Sequence, residues 1–181
     1  VSITTGVHPL WLAVTTLIYY LTSNAAIFHT VIFFIVSLLI LGAHFLLSRV
    51  AIATGISLNT FTLISIPVFL VNLSLLGSGT ENTLLLFLIS LFLWLHYQDH
   101  QLGPAHCITL GVVLLLIYFC RLDNIFLVAV YLPWFTARYW YLYQTRTLIF
   151  SGVIIVAILA HWLLMYSFFG TIFSTSQISI K

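Results

Sequence analysis

Charged residues are almost absent from this sequence. Its 181 residues include only five lysines and arginines and three aspartates and glutamates. These charges are Arg49, Glu81, Asp99, Arg121, Asp123, Arg138, Arg146 and Lys181. Nucleic acid is excluded as a partner, because nothing in the chain forms the basic run that collects phosphates. Apolar residues make up 62% of the chain and its mean hydropathy is +1.21, which no soluble domain matches.

Cysteine is equally scarce. The two cysteines, Cys107 and Cys120, lie in one apolar run, roughly 20 Å apart if that run is helical. They cannot form a disulfide within one helix, because bridged Cα atoms lie within about 7 Å of each other. They give no information about the redox compartment.

Alternation of polar and apolar residues is missing as well, which excludes a membrane β-barrel and predicts an all-α integral membrane protein. About six transmembrane helices are expected, at Ala25–Ser48, Ile56–Leu76, Thr83–Tyr97, Ala105–Cys120, Asn124–Ala137 and Thr147–Phe168. The middle spans are shorter than the ~20 residues usual for a span. Aromatic residues near the ends of these spans suit the headgroup region of the bilayer. They are Trp94, Trp134, Tyr139 and Trp140.

The run Pro9–Leu21 is too short to cross, since it gives ~20 Å of helix against ~30 Å of hydrocarbon. Its Pro9 suits a first helical turn, so we expect a juxtamembrane or interfacial helix. The chain is then one transmembrane domain. Residues 1–24 form the end of an outer loop and this helix, 25–168 the bundle, and 169–181 the start of another outer loop.

The few charged residues can be assigned to the two faces of the membrane if successive connections between helices alternate across the bilayer. Arg49, Arg138 and Arg146 fall on one side, which should be cytoplasmic by the positive-inside rule. The other side receives the remaining unusual segments, which carry His8, Glu81, Arg121, Asp123 and Lys181. We therefore expect a polar site on the outer face.

Two interpretations of Glu81, Arg121 and Asp123 remain open. Arg121 and Asp123 point to different faces of a helix, so each needs another partner, and Arg121 could meet Glu81 or an anionic ligand. Alternatively, Asp123 is an ordinary N-cap for a helix that opens at Asn124, and Glu81 is an ordinary first-turn acid.

Four segments carry a family resemblance. They are VSITTGVHPLW (1–11), GSGTENTL (77–84), CRLDNIFL (120–127) and FFGTIFSTSQISIK (168–181). In this order they resemble the membrane glycosyltransferases of the GT-C superfamily, in particular the group similar to bacterial arabinofuranosyl- and mannosyltransferases. The chain departs from the family pattern at Thr80, Asn124, Ser174 and Gln177.

The resemblance implies an enzyme of the bacterial inner membrane and cell envelope. It would transfer a sugar from a polyprenyl-phosphate donor to a hydroxyl of a glycan, lipid or protein acceptor on the outer face. The family's acidic general base lies upstream of the HPLW element, so here it is expected before Val1, and the chain alone is expected to be an inactive part of a longer protein. No cofactor is implied, and a divalent cation is left open.

The resemblance also supplies a set of substrate-binding residues. His8, Pro9 and Trp11 match the first motif, Gly79 and Glu81 the second, Arg121 and Asp123 the third, and Lys181 the last. Arg121 suits the lipid-linked phosphate, because a guanidinium is a planar fork of donors. Glu81 and Asp123 would orient sugar hydroxyls or hold Arg121. Trp11 would either stack on a sugar or lie in the headgroup belt.

Histidines offer a second kind of site. One cluster could hold a metal ion; it consists of His96, Asp99, His100 and His106. The alternative, that these residues lie in a solvated cytoplasmic loop without a metal, is favoured. His29, His44 and His161 lie singly inside spans, where interhelical hydrogen bonding is favoured over proton relay.

Two rival functions are a small transporter or channel and a non-catalytic scaffold. A transporter predicts charges at mid-depth and related halves, whereas these charges lie at span ends and the sequence has no internal repeat.

Overall fold

The computed structural model describes residues 9–74, 81–98 and 103–169, and every regular element within them is a helix. The helices are α1 (Pro9–Thr22), α2 (Ala25–Ala53), α3 (Leu58–Ser74), α4 (Glu81–Tyr97), α5 (Pro104–Cys120) and α6 (Ile125–Phe169). A single 3₁₀ turn, Leu122–Asn124, joins α5 to α6. The prediction of an all-helical chain is confirmed for these residues.

Helix α6 is folded back on itself rather than straight. Tyr143 has non-helical dihedral angles, with φ −146° and ψ 47°. The rings of Phe135 and Phe150 stack with their centroids 4.2 Å apart, although fifteen residues of straight helix would separate them by about 22 Å. The hydroxyls of Thr136 and Ser151 also meet at 3.2 Å. The chain therefore forms two antiparallel arms, 125–142 and 143–169, in agreement with the last two predicted helices.

Three arginines were expected in connections between helices, and that expectation is wrong. Arg49 lies inside α2, which continues to Ala53, and Arg138 and Arg146 lie inside the two arms of α6. The long apolar stem of arginine lets its charge reach water from a helical position, so an arginine does not end a helix.

Backbone geometry ends α2 instead. Gly55 adopts a left-handed φ of +83°. Its N–H donates to the Ile52 carbonyl at 3.0 Å, and the Ile56 N–H donates to the Ala51 carbonyl at 2.9 Å. This pair of bonds is the Schellman motif, which satisfies the last carbonyls of a helix.

The link between α1 and α2 is short and well capped. Ser23 has a left-handed φ of 49°, which breaks the helix. Asn24 then opens α2, because its Oδ1 accepts the N–H of Ala26 at 2.9 Å and of Ile27 at 3.3 Å. Beyond this link, α1 also contacts α5.

Helices α4, α5 and α6 enclose the core. Its most deeply buried side chains come from α5 and from both arms of α6, namely Leu110, Leu114, Ile117, Phe135, Phe150 and Ile154. Cys107 and Cys120 are buried there and are not joined by a disulfide. Helix α2 packs on the other side of α4.

Large apolar side chains also cover the outside of the helices. Phe33, Phe34 and Leu163 are each at least 60% exposed, and many others are exposed like them. Two of the described helices, Ala25–Ala53 and Tyr143–Ser167, are long and apolar enough to cross a membrane. The remaining apolar helices are shorter.

Gly42 sets the close approach of α2 to α4. A Cβ at this position would lie 2.9 Å from Cε2 of Phe87, closer than carbon atoms pack. We expect Gly42→Leu to lower the free energy of unfolding by about 1–3 kcal/mol, because it overfills this contact. Gly152→Leu is the control, since a Cβ there meets nothing within 4 Å. Unfolding followed by circular dichroism should separate the two variants, and equal stabilities would contradict the contact.

Candidate functional site

The start of α4 and the end of α5 meet at one end of the bundle, called here the Arg121 end. Arg121 is half-buried, and its Nη1 donates a hydrogen bond of 3.0 Å to Oδ1 of Asn82. Asn82 is the second residue of α4, directly after Glu81. The contact thus joins the GSGTENTL and CRLDNIFL segments, which lie 39 positions apart at these two residues.

Local backbone structure presents Arg121 to α4. Arg121 is the C-cap of α5 and leaves the helix in an extended conformation, with φ −148° and ψ 121°. Asn124 closes the turn that follows: its backbone N–H donates to the Arg121 carbonyl at 3.0 Å, and its side-chain Nδ2 donates to the Ile117 carbonyl at 3.0 Å. The same carbonyl also accepts the backbone N–H of Arg121 at 3.3 Å, so the Asn124 amide adds a second hydrogen bond at the end of α5.

The predicted helix start at Asn124 is therefore off by one residue, because α6 begins at Ile125. Asn124 caps the C-terminal end of α5 and is not the first residue of α6. Asn124 had been noted only as a departure from the family pattern. Asparagine side chains, however, readily hydrogen-bond to nearby backbone groups, so an asparagine just after a helix end is a capping signal.

Predicted site residues are described to different extents. Glu81 begins α4 and Asp123 lies in the 3₁₀ turn, so both backbones belong to the Arg121 end, while their side chains lie outside what the structure describes. Trp11 lies on α1 and is half-buried. His8 and Lys181 lie outside the described residues, so the structure does not bear on their predicted roles.

Asn82 is the residue that sequence reasoning missed. The sequence offered Glu81 or an anionic ligand as the partner of Arg121, and that remains a prediction, since the Glu81 side chain lies outside what the structure describes. A signal was present, because a polar amide in the first turn of an apolar helix needs a hydrogen-bonding partner.

A second polar group lies close to Arg121. The hydroxyl of Tyr118 accepts a hydrogen bond of 3.2 Å from Nε1 of Trp162 and bonds Nδ1 of His161 at 2.9 Å. Tyr118 is buried on α5, and its two partners come from the second arm of α6. The prediction that His161 makes an interhelical hydrogen bond is confirmed. This group fixes the second arm against α5 near the Arg121 end.

We expect Tyr118→Phe to lower the free energy of unfolding by about 1–2 kcal/mol, because it removes one acceptor from Trp162 and one partner from His161. Tyr166→Phe on the same arm is the matched control, since Tyr166 is 61% exposed. Thermal or denaturant unfolding of both variants checks this. A Tyr118→Phe protein as stable as Tyr166→Phe would show that these bonds contribute nothing.

His96 does not lie in a solvated loop, contrary to expectation. It belongs to α4, where its Nδ1 bonds the hydroxyl of Tyr131 at 3.1 Å and its ring packs 5.4 Å from that of Trp134. Asp99 and His100 lie outside the described residues. Among those that are described, no three His, Cys, Asp or Glu side chains come together as metal ligands would.

The other histidines inside helices are in apolar or aromatic surroundings. The ring of His44 lies 5.1 Å from that of Phe61, across the α2–α3 contact. His29 is exposed and packs beside Phe28. His106 is half-buried on α5, and its Nε2 has no hydrogen-bonding partner among the described residues.

Comparison with known proteins does not identify a family for this chain. Comparison of the chain with protein-family models, with curated proteins and with solved structures finds no match. The resemblance to GT-C glycosyltransferases accordingly rests on the four sequence segments alone. The Arg121–Asn82 contact is the tertiary feature on which a functional proposal can be built.

Proposed function

We propose that this chain belongs to an integral membrane glycosyltransferase of the GT-C type. It transfers a sugar from a polyprenyl-phosphate donor to an acceptor hydroxyl, with the Arg121 end facing outward from a bacterial inner membrane. One observation carries the proposal: the hydrogen bond from Arg121 to Asn82 joins the second and third segments of the resemblance at one end of the bundle. Segments that form one active site must meet in space.

The apolar exterior supports the membrane part of the proposal. Helices that are apolar all round need an apolar environment on every side, and the described bundle leaves many large apolar side chains exposed. Two helices reach spanning length, and the two arms of α6 form a hairpin. Lipid provides the environment that such a surface requires.

The distribution of arginines supports the proposed orientation. Arg49 lies near the end of α2, while Arg138 and Arg146 flank the fold-back at Tyr143. Contacts of Trp134 with His96 put the end of the first arm level with the end of α4, opposite the Arg121 end. Three arginines thus lie at the end that the positive-inside rule assigns to the cytoplasm.

The proposed chemistry uses the polar residues at the Arg121 end. Arg121 binds the phosphate of the donor and stabilises the charge that grows there as the sugar–phosphate bond breaks. Glu81 and Asp123 orient sugar hydroxyls, and Trp11 contributes a stacking surface or a headgroup anchor. The resemblance assigns substrate binding to His8 and Lys181 as well.

A transporter is the competing function, and the arginine positions favour the transferase. Charges that line a transport path are expected at mid-depth, whereas all four arginines lie at or near the ends of helices or of the arms of α6. The full-length protein in membranes should transfer labelled sugar from a polyprenyl-phosphate donor to an acceptor. Uptake of sugar into proteoliposomes without any transfer would overturn the proposal in favour of transport.

A further inference from the structure

A cavity lies at the opposite end of the bundle from Arg121, between the ends of α2 and α4. Its volume is about 230 Å³ and it is lined by Arg49, Ile52, Ala53, Trp94, Tyr97 and Gln98. Helix α4 runs from Asn82 to this cavity, so about 20 Å separates the two sites. The cavity is therefore distinct from the candidate transferase site.

The lining combines one cation with neutral donors. Arg49 supplies a guanidinium, Trp94 an indole N–H, Tyr97 a hydroxyl and Gln98 an amide. Arg49 is exposed, and its described contact is with the ring of Phe45, 6.0 Å from the centroid. Such a contact orients a guanidinium without using its fork of hydrogen-bond donors.

The charge and the volume of this cavity indicate which ligand it can bind. A guanidinium fork with neutral donors around it matches the oxygens of a phosphate group. A volume near 230 Å³ is below the ~300–1,000 Å³ of pockets for drug-sized ligands, so it suits a headgroup better than a nucleotide. The two apolar residues, Ile52 and Ala53, offer a wall for the beginning of a chain.

We propose that this cavity binds the phosphate group of an anionic phospholipid or of free phosphate, with Arg49 as the cation that holds it. The site goes beyond the proposed transferase activity, and it does not depend on that activity. Trp94 and Tyr97 flank the cavity, and aromatic residues of this kind favour the depth of lipid headgroups. Basic residues at that depth attract anionic lipids.

Native mass spectrometry of the full-length protein in detergent tests the site. Phosphatidylglycerol should bind more tightly than phosphatidylcholine, and Arg49→Ala should weaken the first phosphatidylglycerol by about tenfold, the effect of losing one charge-assisted contact. Arg49→Lys keeps the charge but loses the fork, so it should weaken binding less. Arg146→Ala is the matched control, because it removes the same charge near the fold-back, where Arg146 lies over the ring of Tyr143.

The source of the phosphate is distinguished by competition. Displacement of phosphatidylglycerol by millimolar inorganic phosphate would identify a free-phosphate site, whereas resistance to it would identify a lipid site. Unchanged binding in Arg49→Ala, or an equal loss in Arg146→Ala, would overturn the proposal, whatever the outcome for sugar transfer.

Discussion

Arg121→Ala is expected to reduce sugar transfer from a polyprenyl-phosphate donor by about 100-fold or more in the full-length protein. The guanidinium is proposed to meet the donor phosphate, which gains negative charge as the sugar leaves. Removal of one preorganised donor to a developing charge costs ~10²–10³-fold in other enzymes. The loss should fall mainly on kcat, because the interaction strengthens in the transition state. A transfer assay with membranes that contain equal amounts of protein measures the effect.

Two further variants make that result specific. Arg138→Ala removes an exposed arginine at the far end of the bundle, so transfer should stay near the wild-type rate. Asn82→Ala removes the amide that holds Arg121, so it should reduce transfer by a smaller factor, about tenfold, as a positioning residue does. Normal transfer in Arg121→Ala would count against the site. An equal loss in Arg138→Ala would indicate damage to the fold instead.

Phe135→Ala is expected to cause the largest loss of stability, about 3–5 kcal/mol in the free energy of unfolding. Phe135 is 0% exposed and Phe150 is 1% exposed, and their stacked rings join the two arms of α6. Truncation leaves a cavity where the arms meet α5. Lipid cannot replace these contacts, because association of helices in a bilayer depends on close packing rather than on water exclusion.

Phe126→Ala provides the comparison on the same arm. Phe126 is 76% exposed, so its truncation should change the free energy of unfolding by no more than about 0.5 kcal/mol. Denaturant unfolding of both purified variants gives the difference. If the two truncations cost the same, the stacked pair does not hold the arms together.

The apolar character and the helices could be predicted because they depend on local properties of the chain. A scarcity of charge and long apolar runs leave the helix as the structure that satisfies every backbone group. The span Ala105–Cys120 differs from α5 by one residue at its start. The end of α2 and the fold-back in α6 were less predictable, since arginine is compatible with a helix and these two breaks depend on Gly55 and Tyr143.

The candidate site could be predicted only in part. Arg121 was found from sequence because a lone charge beside an apolar span needs a reason. Its contact with Asn82 was not foreseen, because the rotation of α4, about 100° per residue, decides which residues of its first turn face α5. The cavity around Arg49 was also missed, since its lining comes from two helices that are distant in sequence.

By itself the sequence determined that the described residues are helical and largely apolar, because hydrogen bonding and hydrophobicity act over short stretches. Only the tertiary structure decided that the turn between the two arms of α6 falls at Tyr143, that Asn82 holds Arg121, and that Arg49 borders a cavity with Trp94 and Tyr97. These features depend on the rotation and relative height of packed helices, which are set by the fit of side chains such as Phe87 against Gly42 and not by any single segment.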